Sequence, residues 1–240
     1  MVSRQRATLP LPNGLCSCGS PVHNSAFNIW SMEDSVRQIG TAQEELQRFS
    51  DRVAELIRLG EPIKLYPGCG NTVARTFLNL DIVCCMREDD PRWETHEMFF
   101  FPFADVPWPI PDNCVDYIFH EDFIEHINQK QQVCFLAECL RVMKPGSWHR
   151  VNTPCLAESM RTHSHFELGS RGVYTGEWTK WGHVSVLTRQ SLWELAKIVG
   201  YREVAFNQRN QSVSPHKFVD CRPGTDRDEI FGNIFADLLK

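Results

Sequence analysis

Two glycines flank a cysteine at Gly68-Cys69-Gly70, directly after the apolar run Ile63-Lys64-Leu65-Tyr66-Pro67. An apolar strand entering a Gly-x-Gly turn lets backbone N–H groups approach a ligand with no Cβ in the way. The next apolar run, Phe77-Leu78-Asn79-Leu80-Asp81, ends on a carboxylate. An acid closing the neighbouring strand is placed to bind the vicinal hydroxyls of a ribose. The pairing predicts a nucleoside-type cofactor. A lone Gly-x-Gly is also a common tight turn, so the order of the remaining segments has to decide.

Residues able to move a proton lie further along. His120-Glu121-Asp122 follow the run Val115-Asp116-Tyr117-Ile118-Phe119, and Arg161-Thr162-His163-Ser164-His165 and His183 fall in a long irregular segment beyond it. An imidazole with an unperturbed pKa near 6.5 suits proton transfer at neutral pH. His120, expected to face a crevice at the end of its strand, and His163 are the candidate catalytic bases; a hydrogen-bonded structural histidine is the alternative at each. His126 of Glu125-His126 reads as packing or capping. Phe166, Tyr174, Trp178 and Trp181 in the irregular segment form either an aromatic wall for a flat ligand or the small core of a lid.

The elements that must position these residues alternate. Residues 1–30 are rich in Pro, Gly, Ser and Asn without hydrophobic periodicity and read as an arm, partly disordered. Residues 31–240 read as a single domain with a helical N-terminal extension and an insertion at about 155–185. Thr41-x-x-Glu44 is a capping-box pattern ahead of Leu46, Phe49, Val53, Leu56 and Ile57 on one helix face, with Gly60 and Pro62 as the stop. That helix either flanks the ligand site or only covers the sheet edge. Strands are predicted at Ile63–Tyr66, at Phe77–Asp81 with an extension toward Cys84, near Met98–Phe101, at Val115–Phe119 and at Trp148–Asn152. A helix carrying Val133, Leu136, Ala137, Leu140 and Met143 ends at Lys144-Pro145-Gly146. Thr188 caps a helix stopped at Gly200, and Glu203–Phe206 and Lys217–Cys221 read as two closing strands. This alternation requires an α/β fold with a doubly wound, mostly parallel sheet and a ligand crevice at the carboxyl ends of the strands.

Taken in order, Gly68-Cys69-Gly70-Asn71, Asp81, Phe101-Pro102-Phe103-Ala104-Asp105, Pro109-Ile110-Pro111-Asp112-Asn113-Cys114-Val115-Asp116, Glu125-His126-Ile127 and Arg141-Val142-Met143-Lys144-Pro145-Gly146 resemble the class I S-adenosylmethionine (SAM)-dependent methyltransferases, in the branch with a Gly-Cys-Gly first motif. The resemblance covers about residues 60–206 and implies a seven-stranded Rossmann-like sheet and SAM as cofactor. By that resemblance Gly68 and Gly70 make the backbone approach to SAM, Asp81 binds the ribose hydroxyls, and Asp105 accepts from the adenine amino group. A turn-forming role is the alternative for Asp105. Asp112-Asn113 reads as a turn and Asp116 as a structural residue of its strand. Two departures stand out: Tyr66 replaces the acid common at the end of the first strand, and Thr72 replaces the third glycine. The implied function is methyl transfer to a small-molecule acceptor of natural-product or sugar type. The competing readings are a SAM-binding regulatory subunit that does not methylate and a cyclase or lyase on the same scaffold.

Composition narrows the field further. A formal net charge of −5 disfavours a nucleic-acid substrate held on a broad basic surface. No apolar run approaches the roughly 18 residues a membrane span needs, and residues 1–20 lack the apolar stretch of a secretory signal, so a cytoplasmic location is expected. A homodimer is compatible with the sequence. The 10 cysteines fall in no metal-binding spacing. Free thiols are expected and no metal site, including on Cys16, Cys18 and His23.

Overall fold

The computed structural model describes residues 40–82, 86, 89–163, 176–179, 182–216, 220 and 232–240, without the side chains of 161–163 and 176. The N-terminal arm, including Cys16, Cys18 and His23, lies outside the described residues. Among those described, no helix is long and apolar enough to cross a membrane.

Strands β1 (Lys64–Pro67), β2 (Leu78–Asp81), β3 (Glu97–Phe100), β4 (Val115–Glu121), β5 (Met143–Pro154), β6 (Glu203–Asn207) and β7 (Asn233–Leu239) form one seven-stranded sheet in the order β3-β2-β1-β4-β5-β7-β6. The first five pair in parallel, and β7 runs antiparallel between β5 and β6. The order reverses between β1 and β4. Their carboxyl ends therefore frame the crevice expected at a topological switch point.

Alternation along each strand sorts the core into two clusters, one on each face. Leu65, Leu78, Leu80, Phe99 and Ile118 join the larger one, which is covered by helices α1 (Ala42–Leu59), α2 (Gln129–Val142) and α5 (Arg189–Val199). Tyr66, Met98, Phe100, Tyr117 and Phe119 belong to the smaller one, completed by Cys69, Phe77 and Met86. Residues 71–77 cross from β1 to β2 in turns, with no α-helix. So short a connection has no room for a helix running back along the sheet. Strict alternation of strand and helix therefore fails at the first crossover.

Helix α1 forms where the capping box foresaw it. Glu44 N donates to Thr41 Oγ1 at 3.3 Å, Thr41 N donates to Glu44 Oε2 at 2.6 Å, and Gly60 closes the helix at φ +71°. Its buried face places Phe49 between Phe99 and Phe101, with ring centroids 5.5 and 5.3 Å away. Its polar residues meet the exposed edge of β3. The Phe100 N–H donates to the buried Glu45 carboxylate at 3.0 Å, Arg48 donates to the Met98 carbonyl, and Arg52 pairs with Glu97 at 2.7 Å. The helix thus satisfies an edge strand that would otherwise present open backbone groups.

Two boundaries differ from the sequence reading. Lys144-Pro145-Gly146 does end α2, but the chain continues straight into β5, which pairs at Met143, breaks register, and pairs again from Trp148. Pro145 lacks an N–H for the ladder and Gly146 adopts φ +83°, which together make a bulge rather than a loop. The last described strand is Asn233–Leu239, whereas the expected strand Lys217–Cys221 lies, apart from Asp220, outside the described residues, as does the extension of β2 to Cys84. Six of the seven residues of β7, an internal strand between β5 and β6, are buried, so both of its faces are covered. Its sequence, apolar but for Asn233 and Asp237, lacks the alternation of a half-exposed strand. Asp116 is structural, as expected: it accepts from Ile63 N at 2.8 Å and pairs with Lys144 at 2.6 Å.

Glu45→Ala should lower the free energy of unfolding by about 1–3 kcal/mol, because it leaves the Phe100 N–H without its acceptor and removes the carboxylate partner of Arg48. Glu55→Ala, which removes only an exposed partner of Arg52, should change it by less than about 0.5 kcal/mol. Urea unfolding of the two variants checks the contrast.

Candidate cofactor and active site

Gly68 and Gly70 take φ +68° and +54°, the left-handed region that strains any other residue type. The turn folds back on the end of β2, with Gly68 N donating to Leu80 O at 2.8 Å. A Cβ on Gly68 would lie 2.6 Å from the Phe123 side chain, so glycine is required by the close approach of the segment after β4. A Cβ on Gly70 would meet nothing within 4 Å. The second glycine opens on free space at the carboxyl edge of the sheet.

Asp81, the last residue of β2 and 7% exposed, is directed at this turn. Its Oδ2 accepts from Gly70 N at 2.6 Å and its Oδ1 from Ile82 N at 2.7 Å. Gly68, Gly70 and Asp81 are thereby brought into one cradle. Tyr66, at the end of β1 where the resemblance leads one to expect an acid, is buried, and its hydroxyl lies 2.8 Å from Thr72 Oγ1. Thr72 Oγ1 donates to Cys69 O at 2.7 Å, so the tyrosine hydroxyl donates to the threonine. Tyr66 and Thr72 thereby brace the turn through Cys69 O.

Asp105 is exposed in the loop after β3, and its Oδ1 accepts from Gln131 Nε2 at 2.6 Å. Gln131 is the capping-box partner of Asn128 at the start of α2, with both reciprocal bonds at 3.0 Å. The contact ties Asp105 to the first turn of that helix.

The expectation that His120 faces the crevice is corrected. Its ring is fully buried in the helix-covered layer, 5.3 Å from the Phe135 ring and 6.0 Å from that of Phe123. A directional chain holds it there. Tyr201 donates to Leu136 O at 3.2 Å, so the tyrosine oxygen accepts from His149 Nδ1 at 2.9 Å. His149 Nε2 must then accept from His120 Nδ1 at 2.9 Å. Both imidazoles are neutral in this arrangement. Burial lowers the pKa of His120 to about 3 and that of His149 well below its usual value. A histidine so placed is a structural pin and a weak base. His163 ends α3 (Leu156–His163), and its side chain lies outside the described residues, as do Phe166, Tyr174 and Trp181. Trp178, on the short helix α4 (Gly176–Thr179), is 40% exposed.

The rest of the strand-4 terminus is polar and buried. Asn152 donates to Glu121 Oε1, and Asn233 donates to Asn152 Oδ1 at 2.7 Å, linking the ends of β4, β5 and β7. Asp122 takes φ +49°, a strained conformation for a residue with a Cβ, and its N–H donates to Asn152 O at 2.9 Å.

One cluster went unrecognised in the sequence. Glu125, His126 and His183 offer ligand atoms that all lie within 4.8 Å of one another. Backbone bonds from Val184 N and Ser185 N to Glu125 O, at 2.8 and 3.0 Å, draw the two segments together. Glu125-His126 does sit in a single 3-10 turn, Ile124–His126, but the pairing with His183 is a tertiary event. No local pattern could signal it.

Residues 68–151 match the family model of a methyltransferase domain. The fold aligns with a SAM-dependent methyltransferase from Archaeoglobus fulgidus at a TM-score of 0.50 and 15% identity, over 81% of this chain and 94% of that one. It aligns equally with a SAM-dependent methyltransferase of Thermotoga maritima, described as a possible histamine N-methyltransferase, at 0.50 and 13% identity over 82% and 91%. No curated protein matches the sequence. The family match and the fold are both similar to the class I SAM-dependent methyltransferases, and the fold shared with these structures is a Rossmann-like seven-stranded sheet.

The histidine pair makes stability depend on pH. Unfolded histidines take up a proton near pH 6.5, whereas the folded His120 does so only near pH 3. Stability from this pair is therefore complete above about pH 6.5 and lost as pH falls below it, by up to about 1.4 kcal/mol per pH unit per histidine. Imidazole NMR titration should show two histidines that stay neutral at pH values where the folded protein survives; normal titration of all of them near 6.5 would contradict the buried chain.

Proposed function

We propose that the chain binds SAM at the carboxyl edge of β1, β2 and β4 and transfers its methyl group to a small-molecule acceptor, of natural-product or sugar type. The observation that carries this reading is the cradle in which the Asp81 carboxylate meets the Gly70 amide at 2.6 Å. In it Gly68 and Gly70 give the backbone approach, Asp81 receives the ribose hydroxyls, and Asp105 accepts from the adenine amino group.

The residues present fit that cofactor. Gly70 faces open space where an added Cβ would meet nothing within 4 Å, and an anionic side chain suited to a diol lies beside it. Residues 71–77 run in turns, so the glycine turn is not followed by the helix N-terminus that holds the pyrophosphate of a dinucleotide. A cofactor without phosphate groups suits such a turn. SAM supplies a methyl group already activated by its sulfonium. The chain's own task is alignment of the acceptor and exclusion of water, with a base needed only where an O–H or N–H must lose its proton. His120 is locked in the core and does not serve. His163, at the end of α3 beyond β5, is the base this reading retains.

A second reading is favoured by Tyr66, which replaces the acid expected near the cofactor's ammonium group with a phenol committed to Thr72. In that reading the chain binds SAM without methylating, as a regulatory subunit or as a cyclase or lyase using the sulfonium charge.

Calorimetric titration should show binding of SAM and of S-adenosylhomocysteine and none of NAD. Asp81→Ala should weaken SAM binding by about 5- to 150-fold, equivalent to about 1–3 kcal/mol. Unchanged affinity would remove Asp81 from the site. Methyl-labelled SAM incubated with a metabolite extract separates the two readings: a product heavier by one methyl group supports transfer, and an isomer or no product supports the second.

A further inference from the structure

We infer that Glu125, His126 and His183 bind a single divalent transition-metal ion at the carboxyl edge of the sheet, beside the proposed methyl-donor site. Three features of the cluster point to a metal rather than to an ion pair.

The first is spacing. His183 Nε2 lies 3.9 Å from Glu125 Oε1, and the three ligand atoms all fall within 4.8 Å of one another. Metal–ligand bonds of about 2.0–2.2 Å place two ligand atoms of one ion about 3–4 Å apart. A protonated histidine bridging two carboxylates would instead close to about 2.7–2.9 Å on both sides. Here neither side closes in that way: His183 Nδ1 is 2.9 Å from Glu177 Oε2 but outside hydrogen-bond geometry, and Nε2 is 3.9 Å from Glu125 Oε1.

The second is support around the ligands. Metal-bound histidines present their other ring nitrogen to a carboxylate, which fixes the ring and its tautomer. Glu177 stands beside that nitrogen of His183, at 2.9 Å though outside hydrogen-bond geometry, and is itself bonded by the Ser159 hydroxyl. Glu125 Oε2 accepts from Thr153 Oγ1 at 2.9 Å, which directs Oε1 toward the histidines. The supporting groups come from β5, α3 and α4, so tertiary structure fixes the ligands rather than one flexible loop.

The third is the balance of burial and access. Glu125 is 0% exposed and the His183 side chain 2%, whereas His126 is exposed, its ring 4.9 Å from that of His183. A metal held here has an open side toward solvent, as a metal that takes a further ligand requires. Two imidazoles and one carboxylate suit Zn(II), Fe(II), Co(II) or Mn(II) better than Mg(II) or Ca(II), which favour oxygen-only sets.

The 3-10 turn carrying two of the ligands begins beside Phe123, the residue against which Gly68 packs. A bound metal would therefore stand at the rim of the glycine turn. There it would hold an acceptor hydroxyl and lower its pKa, supplying the deprotonation that His120 does not. This role, unlike the site itself, rests on the methyltransferase reading.

The test uses the full chain, stripped with a chelator and titrated with Co(II) and then Zn(II), followed by calorimetry and visible absorption. One equivalent should bind, with the d–d bands of a nitrogen–oxygen site and no thiolate charge-transfer band. His126→Ala, an exposed change that leaves the core intact, should weaken binding at least about tenfold, and Glu177→Gln by about 10- to 100-fold. His183→Asn, its fold checked by circular dichroism, should abolish it. No stoichiometric binding by the unaltered chain, a thiolate spectrum, or affinity that His126→Ala leaves unchanged would overturn the inference. A parallel SAM titration separates the two claims: metal binding without SAM binding would sink the cofactor reading alone, and the reverse would sink the metal site alone.

Discussion

The carboxylate of Asp81 and the amide of Gly70 meet at 2.6 Å across the ends of two parallel strands, and the architecture of the crevice turns on that bond. It can form because Leu65 to Pro67 pair with Leu78 to Leu80 in register, and because two glycines let the chain reverse tightly enough to turn the Gly70 amide toward the end of β2. A connection of turns takes the place of a crossover helix. The cradle is consequently held by side chains: Asp81 in front, the Tyr66–Thr72 pair behind, and Phe123 packed against Gly68. Charge and geometry agree, since an anion that accepts amide protons at rest can accept ribose hydroxyl protons when a nucleoside enters.

Behind this edge the scaffold is stiffened by buried polar chains that each join several elements. His120, His149 and Tyr201 run from β4 through β5 to the second residue after α5, ending on a carbonyl of α2. Glu121, Asn152 and Asn233 tie three strand ends. Arg150, 1% exposed, lies between Asp220 at 3.0 Å and Asp237 at 3.6 Å. Groups buried this deeply would be destabilising alone, and their mutual bonds fix one arrangement of the sheet. The strained Asp122 is held within that frame, at the mouth of the crevice, where backbone strain is commonly concentrated.

What could be read in the sequence was what is decided locally. Thr41 with Glu44 and Gly60, and Thr188 with Gly200, mark helix ends because caps act over a single turn. The glycine turn and Asp81 were legible because turn and strand end follow one another in the chain. The buried position of His120 was not, since a residue at the end of a strand can point to either layer and only packing against Phe135 and His149 settles which. Strand β7 was not foreseen, because a strand buried on both faces lacks the in–out alternation of a half-exposed one. The Glu125–His126–His183 cluster was invisible for a further reason: its members come from segments far apart in sequence, and each alone looks like an ordinary buried or capping residue.

The account stands most directly on a crystal structure of the chain grown with S-adenosylhomocysteine. It predicts a nucleoside along the carboxyl edge of β1 and β2, its ribose hydroxyls within hydrogen-bond distance of Asp81 and its amino-acid end over Gly68 and Gly70. A nucleoside bound elsewhere, or no ligand in the crevice at saturating concentration, would contradict it.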